Sequence, residues 1–95
     1  MNIEEICRKY NIDHYTINDD KSIDVEGDLN LHDKGLTKLP LKFGSVSGNF
    51  NCSDNNLTTL EGSPENIGGY FSCSYNNLTD LKGGPKSVQG GYFCS

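Results

Sequence analysis

Phe50–Gly69 reads FNCSDNNLTTLEGSPENIGG, and Phe71–Gly90 reads FSCSYNNLTDLKGGPKSVQG, the same wording displaced by 21 residues. With that displacement, Gly48, Gly69 and Gly90 share one column. Phe50, Phe71 and Tyr92 share a second, and Cys52, Cys73 and Cys94 a third. Asn55 falls with Asn76, Leu57 with Leu78, Leu60 with Leu81, Pro64 with Pro85 and Ile67 with Val88. A more diverged unit joins the register through Gly27, Leu29, Leu31, Leu36, Leu39 and Val46. A fixed period of 20 to 29 residues marks a solenoid, in which each unit buries its apolar face only by stacking on its neighbours.

Each unit has its own grammar. F-x-C-x-x-N-N-L-x-x-L alternates apolar and polar positions, which predicts a short strand with one buried face. The pattern is that of a leucine-rich repeat, with Phe and Cys in place of the first two leucines. The Asn has a physical task. Where the chain turns inward after the strand, backbone groups lose their partners, and an amide side chain offers two donors and an acceptor. Lys34 occupies this column in the first unit, so the Asn ladder is expected to start at Asn55. The back of each coil, EGSPENIGG or KGGPKSVQGG, is rich in Gly and Pro, which break helices. An extended or turn-rich path is expected there, with Ile67 and Val88 pointing inward and the whole solenoid rather flat. The fold class expected is mainly β: a short leucine-rich-repeat-like solenoid over 27–95, in units 27–47, 48–68, 69–89 and a partial 90–95.

Residues 1–26 read as its N-terminal cap. Asn2 and Glu5 form a capping-box pair ahead of a helix whose one face carries Ile3, Ile6, Cys7 and Tyr10. Tyr15, Ile17, Ile23 and Val25 alternate around Asp19–Asp20, which predicts a hairpin. A solenoid end exposes apolar edges, so a cap is required. At the other end the chain stops at GGYFCS. The strand expected at Tyr92–Cys94 would be a free edge, and free edges recruit other strands. Two explanations stand: a longer chain cut short, or two copies meeting strand against strand about a two-fold axis, with Tyr92 or Phe93 near the contact.

At 95 residues and 34% hydrophobic content, one small domain with a thin core is expected, burying about two-thirds of its unfolded surface. The formal charge of −5 argues against nucleic acid and anionic membrane as partners, since both reward Lys and Arg. It permits a basic protein partner, and 13 acidic side chains are a thin supply for a DNA mimic. The opening MNIEEICRKY has acids where a secretion signal has bases, so a cytoplasmic location with reduced thiols is expected. The sequons at Asn51, Asn56 and Asn77 are then structural. The cysteine column is expected to be small buried hydrophobes. Stacked strands lie roughly 4.8 Å apart, wider than the about 3.5–4.5 Å between disulfide Cβ atoms.

No catalytic, cofactor or metal site is expected. His32 falls in the column of Ser53, Ser74 and Ser95, close to Asp33 and Asp54, so a Ser–His pair is conceivable. A polar column facing water explains the same residues more simply. The stacked carboxylates Asp33 and Asp54 lack the surrounding pattern of a calcium-binding solenoid. What remains is the outward strand face, whose candidate protein-binding residues are His32, Asp54, Tyr70, Ser74, Tyr75, Tyr92 and Phe93. Aromatics on a small, polar face are enriched at protein interfaces.

LTKLPLKFGSVSGNFNCSDNNLTTLEGSP, followed by GGYFSCSYNNLTDLKGGP and preceded by YTINDDKSIDVEGDLNLHDKGLTKLP, resembles a group of bacteriophage-encoded leucine-rich-repeat-like proteins over about residues 15–95. The resemblance implies fold and phage origin, with the host cytoplasm as location. It implies no activity and brings no catalytic residues. The function expected is a non-enzymatic module that binds a host protein and modulates it; the alternative is an assembly protein that binds itself or a virion component.

Overall fold

The computed structural model describes residues 2–94. It is a β-solenoid of about three turns, mainly β, with one short helix at its N-terminus. Helix α1 (Ile3–Lys9) starts as its residues dictate. The Asn2 side chain accepts from the Glu5 N–H at 2.8 Å, and Glu5 accepts from the Asn2 N–H at 3.2 Å. Cys7 is its buried residue.

The coils pack as two sheets, parallel throughout except where β1 joins the back one. The front sheet orders β3 (Leu29–Asn30), β5 (Phe50–Asn51), β7 (Tyr70–Ser72) and β9 (Gly91–Phe93). The back sheet orders β1 (Tyr15–Ile17), β2 (Ile23–Val25), β4 (Phe43–Val46), β6 (Asn66–Ile67) and β8 (Ser87–Val88). The 21-residue period is the register itself: Leu29 pairs with Phe50, Phe50 with Phe71 and Phe71 with Tyr92. On the back, Val25 pairs with Val46, Val46 with Ile67 and Ile67 with Val88.

The antiparallel hairpin β1–β2 forms where alternation predicted it, but it is more than a lid. Strand β2 pairs in parallel with β4, so the cap supplies the first strands of the back sheet. The back of each coil is extended at Asn66–Ile67 and Ser87–Val88, within the extended or turn-rich path expected, and these segments also stack into a hydrogen-bonded ladder of their own.

Between the sheets runs a row of rings. Phe43 and Phe50 are 5.7 Å apart by centroid, Phe50 and Phe71 5.5 Å, and Phe71 and Tyr92 5.0 Å. Edge-to-face and tilted pairs at such distances add to plain area burial. The glycine column holds the coils together at one corner. The N–H of Gly48 donates to Gly27 O, that of Gly69 to Gly48 O and that of Gly90 to Gly69 O, at 2.8–2.9 Å. A Cβ at Gly48 would sit 2.7 Å from the carbonyl carbon of Gly27, so only glycine lets the backbones stack this closely.

Candidate functional site

The Asn ladder forms as the amide chemistry predicted, and it points one way. Asn55 Oδ1 accepts from the N–H groups of Lys34 and Leu36, and its Nδ2 donates to the carbonyls of Leu31, Cys52 and Ser53. Asn76 repeats this one coil later, accepting from Leu57 N–H and donating to the carbonyls of Cys52, Cys73 and Ser74. Each Asn thus satisfies the coil before its own.

A second ladder lies at the start of the front strands, where the sequence reading did not look. Asp28 Oδ1 accepts from the Asn49 N–H and Asn49 Oδ1 from the Tyr70 N–H, both at 2.8 Å. Asn30 and Asn51 make a third polar column. Their side chains accept from the N–H groups of His32 and Ser53, two residues on, at 3.0 and 2.9 Å.

These polar columns turn aromatic in the last coils. Asp28 and Asn49 are succeeded by Tyr70. Asp33 and Asp54 are succeeded by Tyr75, and Asn30, Asn51 and Ser72 by Phe93. Two of these replacements abandon a structural task. Tyr70 has no short carboxylate or amide oxygen like those of Asp28 and Asn49 with which to continue the corner ladder. Asp33, Asp54 and Tyr75 all adopt left-handed backbone, with φ of 54°, 56° and 57°. Asp tolerates that region, but it is strained for a bulky side chain. Tyr75 occupies it with its ring 71% exposed. Tyr70 and Phe93 meet edge-on, ring centroids 6.2 Å apart, and both are exposed.

The other candidates behave differently. His32 and Asp54 are exposed and engaged with each other, Nδ1 to Oδ2 at 3.2 Å. Ser74 is half-buried, and its hydroxyl donates to Phe93 O at 3.1 Å, tying the front face to β9. Tyr92 belongs to the inward column, paired with Phe71, and is exposed. Ser95, the last residue in the column of His32, lies outside the described residues.

Ser53 corrects the expectation that its column faces water, for it is 8% exposed. Its hydroxyl donates to Asn51 Oδ1 at 2.5 Å, and His32 Nδ1 from the coil below reaches it at 3.1 Å. The hydroxyl is covered by its neighbours, although its Cα points outward. Ser53, His32 and Asp54 are therefore adjacent, but not as a relay. In a catalytic triad the serine meets one ring nitrogen and the carboxylate the other. Here both approach Nδ1, and the serine proton is directed to Asn51.

The cysteine column is the second correction. Cys7 and Cys52 are free and buried, as expected, and burial pushes the Cys52 thiol up to about 12. Cys73 and Cys94 are joined as a disulfide. Their Cα atoms are 4.7 Å apart, inside the range of about 4.4–6.8 Å that a disulfide spans. Among the described residues, no group of three or more His, Cys, Asp or Glu side chains is placed to hold a metal ion, and no helix is long and apolar enough to cross a membrane.

The architecture is that of a capped, two-sheet β-solenoid, one end sealed by a helix and hairpin. No family model, no curated protein and no solved structure matches the chain.

Proposed function

We propose that this chain is a non-enzymatic protein-binding module whose contact surface is the aromatic end of the front face, centred on Tyr70, Tyr75 and Phe93. The observation that carries the reading is the change in three separate columns. Each runs polar through the earlier coils and reaches an aromatic in a later one, Tyr70 being followed by Gly91 and Tyr75 standing against the preference of the backbone. Backbone strain that a smaller residue would relieve clusters at binding sites. Exposed tyrosines and phenylalanines are the side chains from which interface anchors are made. The resemblance to phage-encoded repeat proteins supports a host protein as the partner, bound so that its activity is altered.

A pull-down from bacterial lysate with the intact chain, run beside Tyr70→Ser and Tyr75→Ser, tests this. A stoichiometric host protein retained by the wild type and lost by both variants, with circular dichroism unchanged, is the expected result. Recovery that ignores both substitutions would reject the aromatic face. The disulfide and the expected cytoplasmic location pull in opposite directions, because disulfides persist in oxidising surroundings.

A further inference from the structure

The hairpin of the cap uses only one side of its first strand. Strand β1 follows α1 in the chain, stands outermost in the back sheet and pairs only with β2 among the described residues. The direction of its backbone follows from the bonds at either end. His14 O accepts from the Glu26 N–H, and the Asn18 N–H donates to Ser22 O, both at 2.8 Å. In an antiparallel pair, residues that exchange such bonds alternate with residues that do not. Thr16, opposite Asp24, therefore bonds to β2, while the N–H and C=O groups of Tyr15 and Ile17 point away from it. The side chains obey the same alternation. Tyr15 and Ile17 lie on the inner face, opposite the buried Val25 and Ile23, and Ile17 is left 39% exposed there.

The charge around this edge has one sign. Residues 13–26 carry Asp13, Asp19, Asp20, Asp24 and Glu26 against the single base Lys21. Lys42 of the first coil offsets Asp20, and Asp24 accepts from Asn18. Asp13 and Asp19 bracket β1, are exposed, and join no ion pair among the described residues. Asp13, Tyr15, Ile17 and Asp19 also fall at every second position, the spacing of one strand face. A complementary strand therefore reads basic, apolar, apolar, basic at alternate positions. A second copy of the chain would bring carboxylates against carboxylates, which opposes self-pairing.

We propose that the outer edge of β1 takes an added strand from a protein partner, an extended segment of that basic and apolar pattern. Its backbone pairs with Tyr15 and Ile17. Its apolar side chains cover Ile17 on the inner face, and its Lys or Arg side chains meet Asp13 and Asp19. In strand addition the main-chain bonds give affinity and the alternate side chains give specificity. The edge shares no residue with Tyr70, Tyr75 and Phe93, so this reading and that of the front face fail separately.

The acetylated and amidated peptide RTVTVTR carries the pattern, and ETVTVTE carries the same backbone preference with the opposite charge. Hydrogen exchange at the Tyr15 and Ile17 amides of the intact chain should slow with RTVTVTR and not with ETVTVTE. High salt should weaken the binding about tenfold, because the contacts at Asp13 and Asp19 are exposed. Ile17→Pro deletes an outward N–H that β2 does not use, which an edge strand tolerates, and it should abolish binding with circular dichroism unchanged. Asp13→Asn combined with Asp19→Asn should weaken it without touching the backbone. An equal response to both peptides, unaltered exchange at Tyr15 and Ile17, protection there that depends on protein concentration alone, or full binding by the double Asn variant would each overturn the proposal.

Discussion

Leu60 and Leu81 occupy the same position in two nearly identical units, yet the first is fully buried and the second is half exposed. The same divergence separates Leu57 from Leu78, Asn55 from Asn76 and Phe71 from Tyr92, the first of each pair being the more deeply covered. The amino acids differ little, so the difference comes from what lies above. In a solenoid a coil does not bury its own core; the next coil does it. Identical words in the sequence therefore carry different energies according to how many coils follow them.

The comparison is broken most forcefully at the ladder. Asn55→Ala strands two N–H groups and leaves Leu31 O without its amide donor, at about 1–3 kcal/mol for each buried group left unpaired. Urea denaturation should show a loss above about 3 kcal/mol. Asn76→Ala, half-exposed and accepting from one N–H, should lose less. At the leucines, Leu60→Ala should cost about 2–5 kcal/mol, whereas Leu81→Ala should stay near about 1 kcal/mol or below. Equal midpoints at dilute concentration would mean that the neighbouring coil is not what buries Leu60.

The disulfide sharpens the contrast from the other side, since it ties the uncovered coil to the one beneath. Closing a loop with a sequence separation of 21 removes unfolded-chain entropy worth about 3 kcal/mol. Cys94→Ser should show a loss of that order in oxidised samples and none once a reductant is added to both proteins. Mass spectrometry without reductant checks the bond directly. Tyr75→Asn acts in the opposite direction. It should raise stability by about 1 kcal/mol by relieving the left-handed backbone, while weakening partner binding. The smallest effect belongs to the sealed end. The Ser22 hydroxyl and N–H, with Lys42 beside them, hold the Asp20 carboxyl down to about 2. A lowered value stabilises the fold above the ordinary carboxylate range, and that contribution fades as the pH falls through about 2. Amide exchange in the β1–β2 turn should accelerate over that interval, and Asp20→Asn should remove the dependence.

Much of this was legible in the residues. The period fixed the register to the residue, because Phe, Cys, Asn and Leu repeat in the columns that face inward. The capping box at Asn2 and Glu5 and the alternation at Tyr15–Val25 were equally direct. The back sheet was hidden because β6 and β8 are two residues long, too short to alternate, and lie among Gly and Pro. The ladder of Asp28 and Asn49 was visible as a polar column after the glycines, but its role needed the backbone direction of the following coil. Ser53 was misjudged because alternation states where a Cα points and not what leans over its side chain. The candidate site was partly readable. Tyr70, Tyr75 and Phe93 stood out as aromatics, but the strain at Tyr75 appears only in its φ.

The backward reach of the Asn side chains gives the molecule a direction in time. As the chain leaves the ribosome, the cap and the first coil appear together, but the turn of that coil stays open until Asn55 has been synthesised and has folded onto it. The second coil waits in the same way for Asn76. Growth is therefore expected to run as a ratchet, in which each arriving unit completes its predecessor and is itself left provisional. A nascent chain released one coil early should be missing the unit that was cut and be loose in the one before it.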